Sequence, residues 1–410
     1  MPLAELFPGR VFPHCKFCGG GSTDYRATMV MGVTHPQTCL VLRARLRVLR
    51  RAGFHVVLVS SPGALLEETA DREGAVPVAI PIRRTMAPLA DLVSLWRLWR
   101  LLGSLRPDLV EFSTPKAGLL GTLAAWMRGV PKRVYLLRGL RLEGTSGLKR
   151  RLLLAAERLT AACAHVVLCN SASLREMALD LKIAPVAKLR VIGEGSSQGV
   201  DTERFSPGPT DLRERLGIPL DAPVIGFVGR LTRDKGLPEL IEAFARIELA
   251  VPAARLLLVG WYDVAEDALD AKTRGRIEAH PMIVTTGFVA DAAPYYRAMD
   301  VMVLPSWREG FPNVVLEAGA SGIAVVTTIS TGARDSVIPE VTGLLIPPGY
   351  PEAIVEAVLK LLRDPERRRR MGRAARAWVV ENYREERVLG QTAEYYWSLL
   401  GVQAGQLQEV

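Results

Sequence analysis

Two carboxylates, Glu309 and Glu317, lie eight residues apart on either side of a Gly310-Phe311-Pro312 turn, within Arg308-Glu309-Gly310-Phe311-Pro312-Asn313-Val314-Val315-Leu316-Glu317. Ionised carboxylates only accept hydrogen bonds, so a pair of them near a turn suits the hydroxyl groups of a sugar. Gly310 and Pro312 predict a loop after the strand-like run Val301–Pro305, and Asn313 to Gly319 reads as the first turns of a helix. A loop that ends at a helix N-terminus presents unpaired N–H groups and the positive end of a dipole, which favours phosphate. Glu317, about one turn into that helix, is spaced to accept from vicinal hydroxyls as a carboxylate does on ribose. Glu309 stays on the loop, free to face a sugar.

About eighty residues earlier, Val224-Ile225-Gly226-Phe227-Val228-Gly229-Arg230-Leu231-Thr232-Arg233-Asp234-Lys235-Gly236 runs from a buried-strand pattern into a glycine-punctuated loop. Gly229 lets the backbone approach a ligand, Arg230 offers a planar fork and Lys235 a point charge, a set suited to diphosphate oxygens. A helix predicted over Leu237–Leu249 starts beside them and adds its N-terminus.

The elements that must position these residues alternate along the chain. Strand patterns fall at Tyr25–Gly32, His55–Ser60, Leu109–Phe112, Arg133–Leu137 and Val166–Asn170, with helices at Leu89–Leu105, Gly118–Arg128 and Leu148–Ala164 between them. A second series has strands at Val224–Val228, Arg255–Val259, Ile283–Thr286, Val301–Leu304 and Ala324–Thr327. Such alternation predicts doubly wound parallel sheets. Ligands of open α/β sheets bind outside the carboxyl ends of strands. Gly32, Thr34 and His35 follow the first strand, and Thr114 and Lys116 follow another, so these become candidates for a second subsite. Lys116 is equally what a surface lysine near a helix start would look like.

The chain resembles the family-4 retaining glycosyltransferases, whose C-terminal half carries G-x-x-G-R-x-x-x-x-K-G and E-G-F-P-x-x-x-x-E in this order. The resemblance spans about Met29 to Leu400 and includes Thr286-Gly287-Phe288-Val289, Asp300-Val301-Met302-Val303-Leu304-Pro305-Ser306 and Thr342-Gly343-Leu344-Leu345-Ile346-Pro347. Within that family it looks closest to enzymes building capsule, O-antigen or other surface glycans on a polyprenyl-diphosphate carrier. Ser113-Thr114-Pro115-Lys116-Ala117-Gly118, Arg138-Gly139-Leu140-Arg141 and Gly195-Ser196-Ser197-Gln198-Gly199-Val200-Asp201 carry this closer likeness.

The resemblance implies an α/β protein of GT-B fold, with two facing Rossmann-like domains of parallel sheet and an interdomain cleft. The expected division is an N-terminal extension over residues 1–28, an acceptor-binding domain over 29–200 to which 384–410 crosses back, and a donor-binding domain over 201–383. It implies transfer, with retention, from a nucleoside-diphosphate sugar, a UDP-sugar first of all, to a polyprenyl-diphosphate-linked saccharide. Gly229, Arg230, Lys235, Glu309, Gly310, Phe311, Pro312, Asn313 and Glu317 would bind the donor, with Arg230, Lys235 and Glu309 closest to the chemistry. Gly32, Thr34, His35, Thr114, Lys116 and Arg138 would lie on the acceptor side.

Fixed cations and helix N–H groups would meet the charge that develops on the leaving diphosphate. No cofactor and no metal are expected; the sequence contains no Asp-x-Asp motif. Two departures stand out. Arg138 replaces a His common in the family, a permanent cation for a titratable imidazole, and Gln198 stands where Asn is usual. An inactive donor-binding partner of a glycan-assembly complex, a UDP-sugar epimerase and a soluble starch- or sucrose-type synthase are the competing readings.

At 410 residues and 49% hydrophobic, the chain is long enough for two full cores. Its five cysteines are odd in number and sit mostly in apolar runs, as in a reduced cytosolic protein. His14, Cys15 and Cys18 form at most half a metal site. Charge is uneven: residues 29–200 hold 25 Lys and Arg against 12 Asp and Glu, whereas residues 201–410 hold 24 against 29. An anionic partner for the basic half is expected. Basic amphipathic patterns in Thr38–Arg51, the Trp-bearing Leu92–Leu105 and the segment opening at Lys149-Arg150-Arg151 suit an anionic membrane surface, and equally suit helices packed on their own sheet with solvated arginines. Nucleic acid is disfavoured, because the basic residues are interleaved with Leu and Val and no binding motif accompanies them. The expectation is a cytoplasmic protein, peripheral on the inner face of the plasma membrane.

Overall fold

The computed structural model describes residues 27–85, 87–263 and 267–402. Of the extension expected over residues 1–28, residues 1–26, with His14, Cys15 and Cys18, lie outside them, as do residues 403–410, while Ala27 and Thr28 already belong to the first strand.

The described chain falls into two compact units. One comprises the residues up to Asn170, Arg175–Gln198 and Glu386 onward; the other comprises Ser171–Leu174 and Gly199–Glu385. The first holds a seven-stranded, wholly parallel sheet: β1 Ala27–Gly32, β2 Phe54–Ser60, β3 Val76–Ala79, β4 Leu109–Ser113, β5 Lys132–Leu137, β6 Val166–Cys169 and β7 Leu189–Arg190, in the order β3-β2-β1-β4-β5-β6-β7. Its helices are α1 Arg43–Arg51, α2 Ala64–Glu73, α3 Pro88–Leu105, α4 Pro115–Met127, α5 Gly147–Cys163 and α6 Ala172–Asp180, of which α6 begins in the segment that goes with the second unit. Chain order reverses between β1 and β4, so the crevice of this sheet opens at the carboxyl ends of those two strands.

The second unit holds a six-stranded parallel sheet: β8 Val224–Val228, β9 Arg255–Val259, β10 Ile283–Thr285, β11 Val301–Leu304, β12 Ala324–Thr328 and β13 Gly343–Ile346, in the order β10-β9-β8-β11-β12-β13. Here the reversal falls between β8 and β11. The accompanying helices are α7 Leu212–Arg215, α8 Leu237–Ala250, α9 Ala271–Ala279, α10 Ala293–Arg297, α11 Asn313–Ala320, α12 Pro351–Arg363 and α13 Pro365–Asn382; α14 Glu385–Leu399 belongs to the first unit from Glu386 on.

Strands covered on both faces read as continuous apolar runs, because alternate residues feed different cores. In β1, Met29 and Met31 pack with Leu46 and Leu49 of α1 on one side, while Val30 packs with Leu98 and Leu101 of α3 on the other. Three strands absent from the sequence reading, β3, β7 and β13, all lie at sheet edges. There a strand can be as short as Leu189–Arg190 or contain a proline, as Pro77 in β3, because one side of it has no ladder to complete. The helix expected within Thr38–Arg51 starts as a tighter 3-10 turn, Pro36–Leu42, and becomes α-helical only at Arg43.

Arg45 is the largest side chain enclosed in the first unit. Its Nη2 donates to Glu111 Oε2 of β4 at 2.5 Å and to the Tyr396 hydroxyl of α14 at 2.6 Å, and its Nη1 donates to the Ser197 carbonyl at 2.6 Å. Tyr396 in turn donates to Glu111. Beside this knot Trp397 stacks on Phe54 with ring centroids 4.4 Å apart and donates to the Ala52 carbonyl. Breaking a buried ion pair by removing one partner leaves an uncompensated charge. Glu111→Ala is therefore expected to lower stability by about 3–5 kcal/mol, and Tyr396→Phe by about 1–3 kcal/mol for the donor it removes, in urea unfolding followed by tryptophan fluorescence. Changes within a few tenths of a kcal/mol would show that the knot carries no net weight.

Candidate functional site

In the second unit, the loops after β8 and β11 and the loop before the 3-10 turn at Arg334–Ser336 converge. Gly236, at φ +74°, is held so close to the end of β11 that a Cβ there would lie 2.2 Å from the Pro305 carbonyl. That approach carries Lys235 to Glu309: its Nζ lies 2.6 Å from Glu309 Oε1, and Ser306 donates to the same oxygen at 2.7 Å. The carboxylate loop is fixed from its other side. Glu309 N–H donates to the Thr331 carbonyl at 3.1 Å, and Gly332, at φ +73°, would place a Cβ 2.4 Å from the Gly310 carbonyl. Gly332 N–H donates to Ser173 Oγ at 2.7 Å, and Ser173 donates to Asp335.

Arg230 meets Asp263 at 2.7 Å and Asp234 at 3.9 Å. Asp234 also lies 3.5 Å from Arg308, which pairs with Asp267 at 2.9 Å. Each of these cations is thus balanced by a protein carboxylate. Arg230 keeps the most open guanidinium of the group, with 38% of its side chain exposed against 20% for Arg308 and 17% for Lys235. It retains N–H donors that an anion can take without breaking the pair with Asp263.

Pro312 caps α11, Asn313 opens it, and Phe311 packs 5.5 Å from Tyr383. Glu317, one turn in, accepts from the Tyr296 hydroxyl at 2.8 Å through Oε2; among the described residues Oε1 has no hydrogen-bond partner. Burial raises the pKa of Glu317, with the Tyr296 hydrogen bond opposing the shift. Lys235 and Glu309 are in direct contact, Arg230 joins Arg308 through Asp234, and Glu317 makes its own contact with Tyr296, apart from them.

In the first unit, Thr34 and Thr114 meet across the reversal point of the sheet with their hydroxyls 2.7 Å apart, and the Ala117 N–H donates to Thr34 Oγ1. Thr114 is left-handed, at φ +70°, a conformation that a β-branched residue adopts only where its surroundings over-determine it. Gly32 stands against the Phe112 ring, where a Cβ would lie 2.2 Å away. His35 accepts from Gln37 N–H through Nδ1, and burial, then the charge of Arg84, lower its pKa. Lys116 pairs with Asp91 at 2.7 Å and donates to the Thr85 carbonyl. Arg138 follows β5; its Nε and Nη2 are shielded and have no partner among the described residues. Burial, then the charge of Arg45, bring the pKa of Arg138 down to about 10, so it remains a cation at neutral pH.

Sequence reasoning did not find Tyr296, Asp263, Ser173 or Gly332, which reach the site only through the topology. Ser306 and Asp234 lay inside the quoted motifs without a role. Among the described residues, no group of three or more His, Cys, Asp or Glu side chains is placed to hold a metal ion.

The family model for glycosyl transferases group 1 matches residues 210–378, and that for the glycosyl transferase 4-like domain matches residues 41–195. The capsular polysaccharide biosynthesis glycosyltransferase CapM of Staphylococcus aureus is 34% identical over 369 residues, covering 90% of this chain and 96% of CapM. The UDP-Gal:alpha-D-GlcNAc-diphosphoundecaprenol alpha-1,3-galactosyltransferase of Escherichia coli is 28% identical over 288 residues, 68% of this chain and 73% of that one. Among solved structures, Anabaena HepE in complex with UDP and glucose has a TM-score of 0.74 at 20% identity, covering 91% of this chain and all of that one, which is a likeness of fold. Two parallel α/β sheets, each with its loops gathered at the carboxyl edge, define the GT-B class. The chain belongs to the group 1 glycosyltransferase family that includes CapM.

The Tyr296 hydroxyl stabilises the charged form of Glu317, so Tyr296→Phe is expected to raise the pKa of Glu317 further. As pH falls, the ionised carboxylate is then lost sooner; if Glu317 also receives nucleotide hydroxyls, as proposed below, the acid limb of nucleotide affinity should move to higher pH in calorimetric titrations with UDP. An unmoved limb would separate Glu317 from nucleotide binding.

Proposed function

We propose that this glycosyltransferase moves a hexose or acetamido-hexose, with retention, from a UDP-sugar to a polyprenyl-diphosphate-linked saccharide during surface-polysaccharide synthesis at the cytoplasmic face of a membrane. The observation that carries the reading is the Lys235–Glu309 pair, which sets a cation and a carboxylate 2.6 Å apart at the carboxyl edge of the second sheet, beside the partly open Arg230. The likenesses to CapM and to the galactosyltransferase acting on GlcNAc-diphosphoundecaprenol support the acceptor class.

In this reading the second unit binds the donor and the first the acceptor. Arg230 and Lys235 take the diphosphate, and Gly229 allows its close approach. Gly310 to Asn313 present the start of α11, and Glu317 receives the ribose hydroxyls through Oε1. As the anomeric C–O bond breaks, negative charge grows on the leaving diphosphate, where Arg230, Lys235 and backbone N–H groups are already oriented. The acceptor hydroxyl attacks from the same face, its proton passing to the leaving phosphate oxygen. Glu309 then contacts the donor sugar, and the shift of Lys235 from Glu309 toward phosphate couples donor entry to release of that carboxylate. Thr34, His35, Thr114 and Arg138 face the acceptor side. Lys116 contributes there by fixing α4 to Asp91 rather than as a free cation.

Release of nucleoside diphosphate from a panel of UDP- and GDP-sugars, with EDTA and with or without a polyprenyl-diphosphate-saccharide, tests the reading. Turnover needing one UDP-sugar and the lipid acceptor is expected. GDP-sugar use would replace the donor, acceptor-free interconversion of a UDP-sugar would indicate an epimerase, and silence throughout an inactive partner. Lys235→Ala and Glu317→Ala should each lose about 2–4 kcal/mol of transition-state stabilisation in kcat/KM, the range for a lost preorganised charge-stabilising group; wild-type-like turnover in both would sink the site assignment.

A further inference from the structure

The basic half of the chain does not use its arginines uniformly. On α1, Arg47 forks onto the Glu73 carboxylate at 2.9 and 3.1 Å, Arg50 donates to the Glu73 carbonyl at 2.8 Å, and Leu46 and Leu49 are core. This face is folded down on the end of α2, and its leucines are not available to any partner. Helices α3 and α5 differ. Each carries a second apolar stripe beside the one it buries. In α3 the buried residues are Leu98, Leu101, Leu102 and Leu105, while Leu89, Leu92, Val93 and Trp96, at helical spacing, stand out in solvent. In α5 the exposed large apolar residues are Leu148, Leu152 and Leu159, the first two in its opening turns. Leu89 is 81% exposed and Leu148 71%, beyond what snorkelling or partial packing leaves open.

The two stripes share one end of the sheet. Helix α4 packs against both α3 and α5, and the Lys116 contacts with Asp91 and the Thr85 carbonyl pin the start of α4 to the start of α3. In a parallel α/β sheet the helices start at the carboxyl edge of the strands. That is the edge bearing Thr34, Thr114 and Arg138. The charge around the stripes is of one sign: residues 83–159 contain 15 Lys and Arg and five Asp and Glu. All five acids interact within the protein. Asp91 pairs with Lys116, Asp108 accepts from Thr28 N–H, Glu111 is enclosed with Arg45, and Glu157 is buried against Tyr135. Arg97, Lys149, Arg150 and Arg151 are exposed among the apolar residues.

We infer that the starts of α3 and α5 form the docking surface of this protein on a bilayer containing anionic phospholipid, with Leu89, Leu92, Trp96, Leu148 and Leu152 entering the headgroup boundary and the flanking cations meeting lipid phosphates. Apolar side chains including a Trp, surrounded by Lys and Arg, satisfy both forces that hold a protein in that interface. No helix among the described residues is long and apolar enough to cross a membrane, so this surface lies on the bilayer. The inference deepens the proposed use of a lipid-linked acceptor, since it brings the carboxyl edge of the first sheet to the depth of a membrane-held diphosphate.

The test is flotation with vesicles of phosphatidylcholine alone or mixed with phosphatidylglycerol, at low and high salt. The native protein should float with the mixed vesicles and release with salt. A variant carrying Leu89→Gln, Leu92→Gln, Trp96→Gln, Leu148→Gln and Leu152→Gln should bind roughly tenfold or more weakly with little change in melting temperature, because each of these side chains is half or more exposed. Arg47→Gln with Arg51→Gln on α1 should float like the native protein. Equal flotation of the apolar variant, no flotation of the native protein, or a dimer in light scattering that the same variant dissolves, would overturn the inference. Its fate is separable from that of the proposed function. With a water-soluble short-chain acceptor the apolar variant should turn over like the native protein, and a chain that floats as expected but transfers no sugar would refute the activity while supporting the surface.

Discussion

The second unit depends on one ion pair. Lys235 comes from the loop after β8 and Glu309 from the loop after β11, the two strands flanking the point where chain order reverses. A lysine brought to such a crevice without an anion would carry a partly desolvated charge, and a carboxylate there would do the same. Pairing them, with Ser306 holding the shared oxygen, lets both exist before any ligand arrives. Arg230 with Asp263, and Arg308 with Asp234 and Asp267, extend the same solution outward. Under the proposed function, a diphosphate would meet positive charges already oriented, and its entry would exchange one anion for another rather than assemble cations.

The two cations differ in type and setting. Arg230 is partly exposed and offers several donors in one plane, so under the proposed function it would take phosphate oxygens while keeping Asp263. Lys235 is a compact charge held mostly out of solvent, which under the same proposal would turn its Nζ from Glu309 to a phosphate. The glycines are the condition for both. Gly236 admits the Pro305 carbonyl where any Cβ would stand, and Gly332 admits that of Gly310, so the loops approach by backbone contact and the ion pair closes at 2.6 Å.

Much of this was legible in the sequence because it is local. Arg230, Lys235, Glu309 and Glu317 lie in short motifs at strand ends, and the central strands of both sheets read as apolar runs since both their faces are covered. The edge strands β3, β7 and β13 escaped for the converse reason, having fewer neighbours and accepting Pro77 or a length of two residues. Partners were the least legible part. Nothing near Glu317 announces Tyr296, and nothing near Glu309 announces Thr331 or Gly332, because those contacts exist only once β11 and β12 lie side by side. The arginines of α1 show the same limit: their spacing describes an amphipathic helix, but only the placement of Glu73 reveals that the charged face is already occupied.

The excess positive charge of the first half therefore has several separate meanings. Arg45 spends its charge inside, tying β4, α14 and the Ser197 carbonyl into a single buried knot. Arg47 spends its charge on Glu73, at the surface. Arg138 keeps shielded Nε and Nη2 donors without a hydrogen-bond partner among the described residues beside that knot, where Glu111 is already committed to Arg45 and Tyr396. Arg138 remains cationic with the Glu111 carboxylate nearby but shared with Arg45, unlike the second sheet, where each site cation is paired directly with a carboxylate. In the second sheet the counter-ions sit beside the cations, whereas Arg138 keeps donors that meet no partner among the described residues. Under the proposed function an anionic ligand would therefore gain differently at the two edges, by substitution at one and by direct compensation at the other.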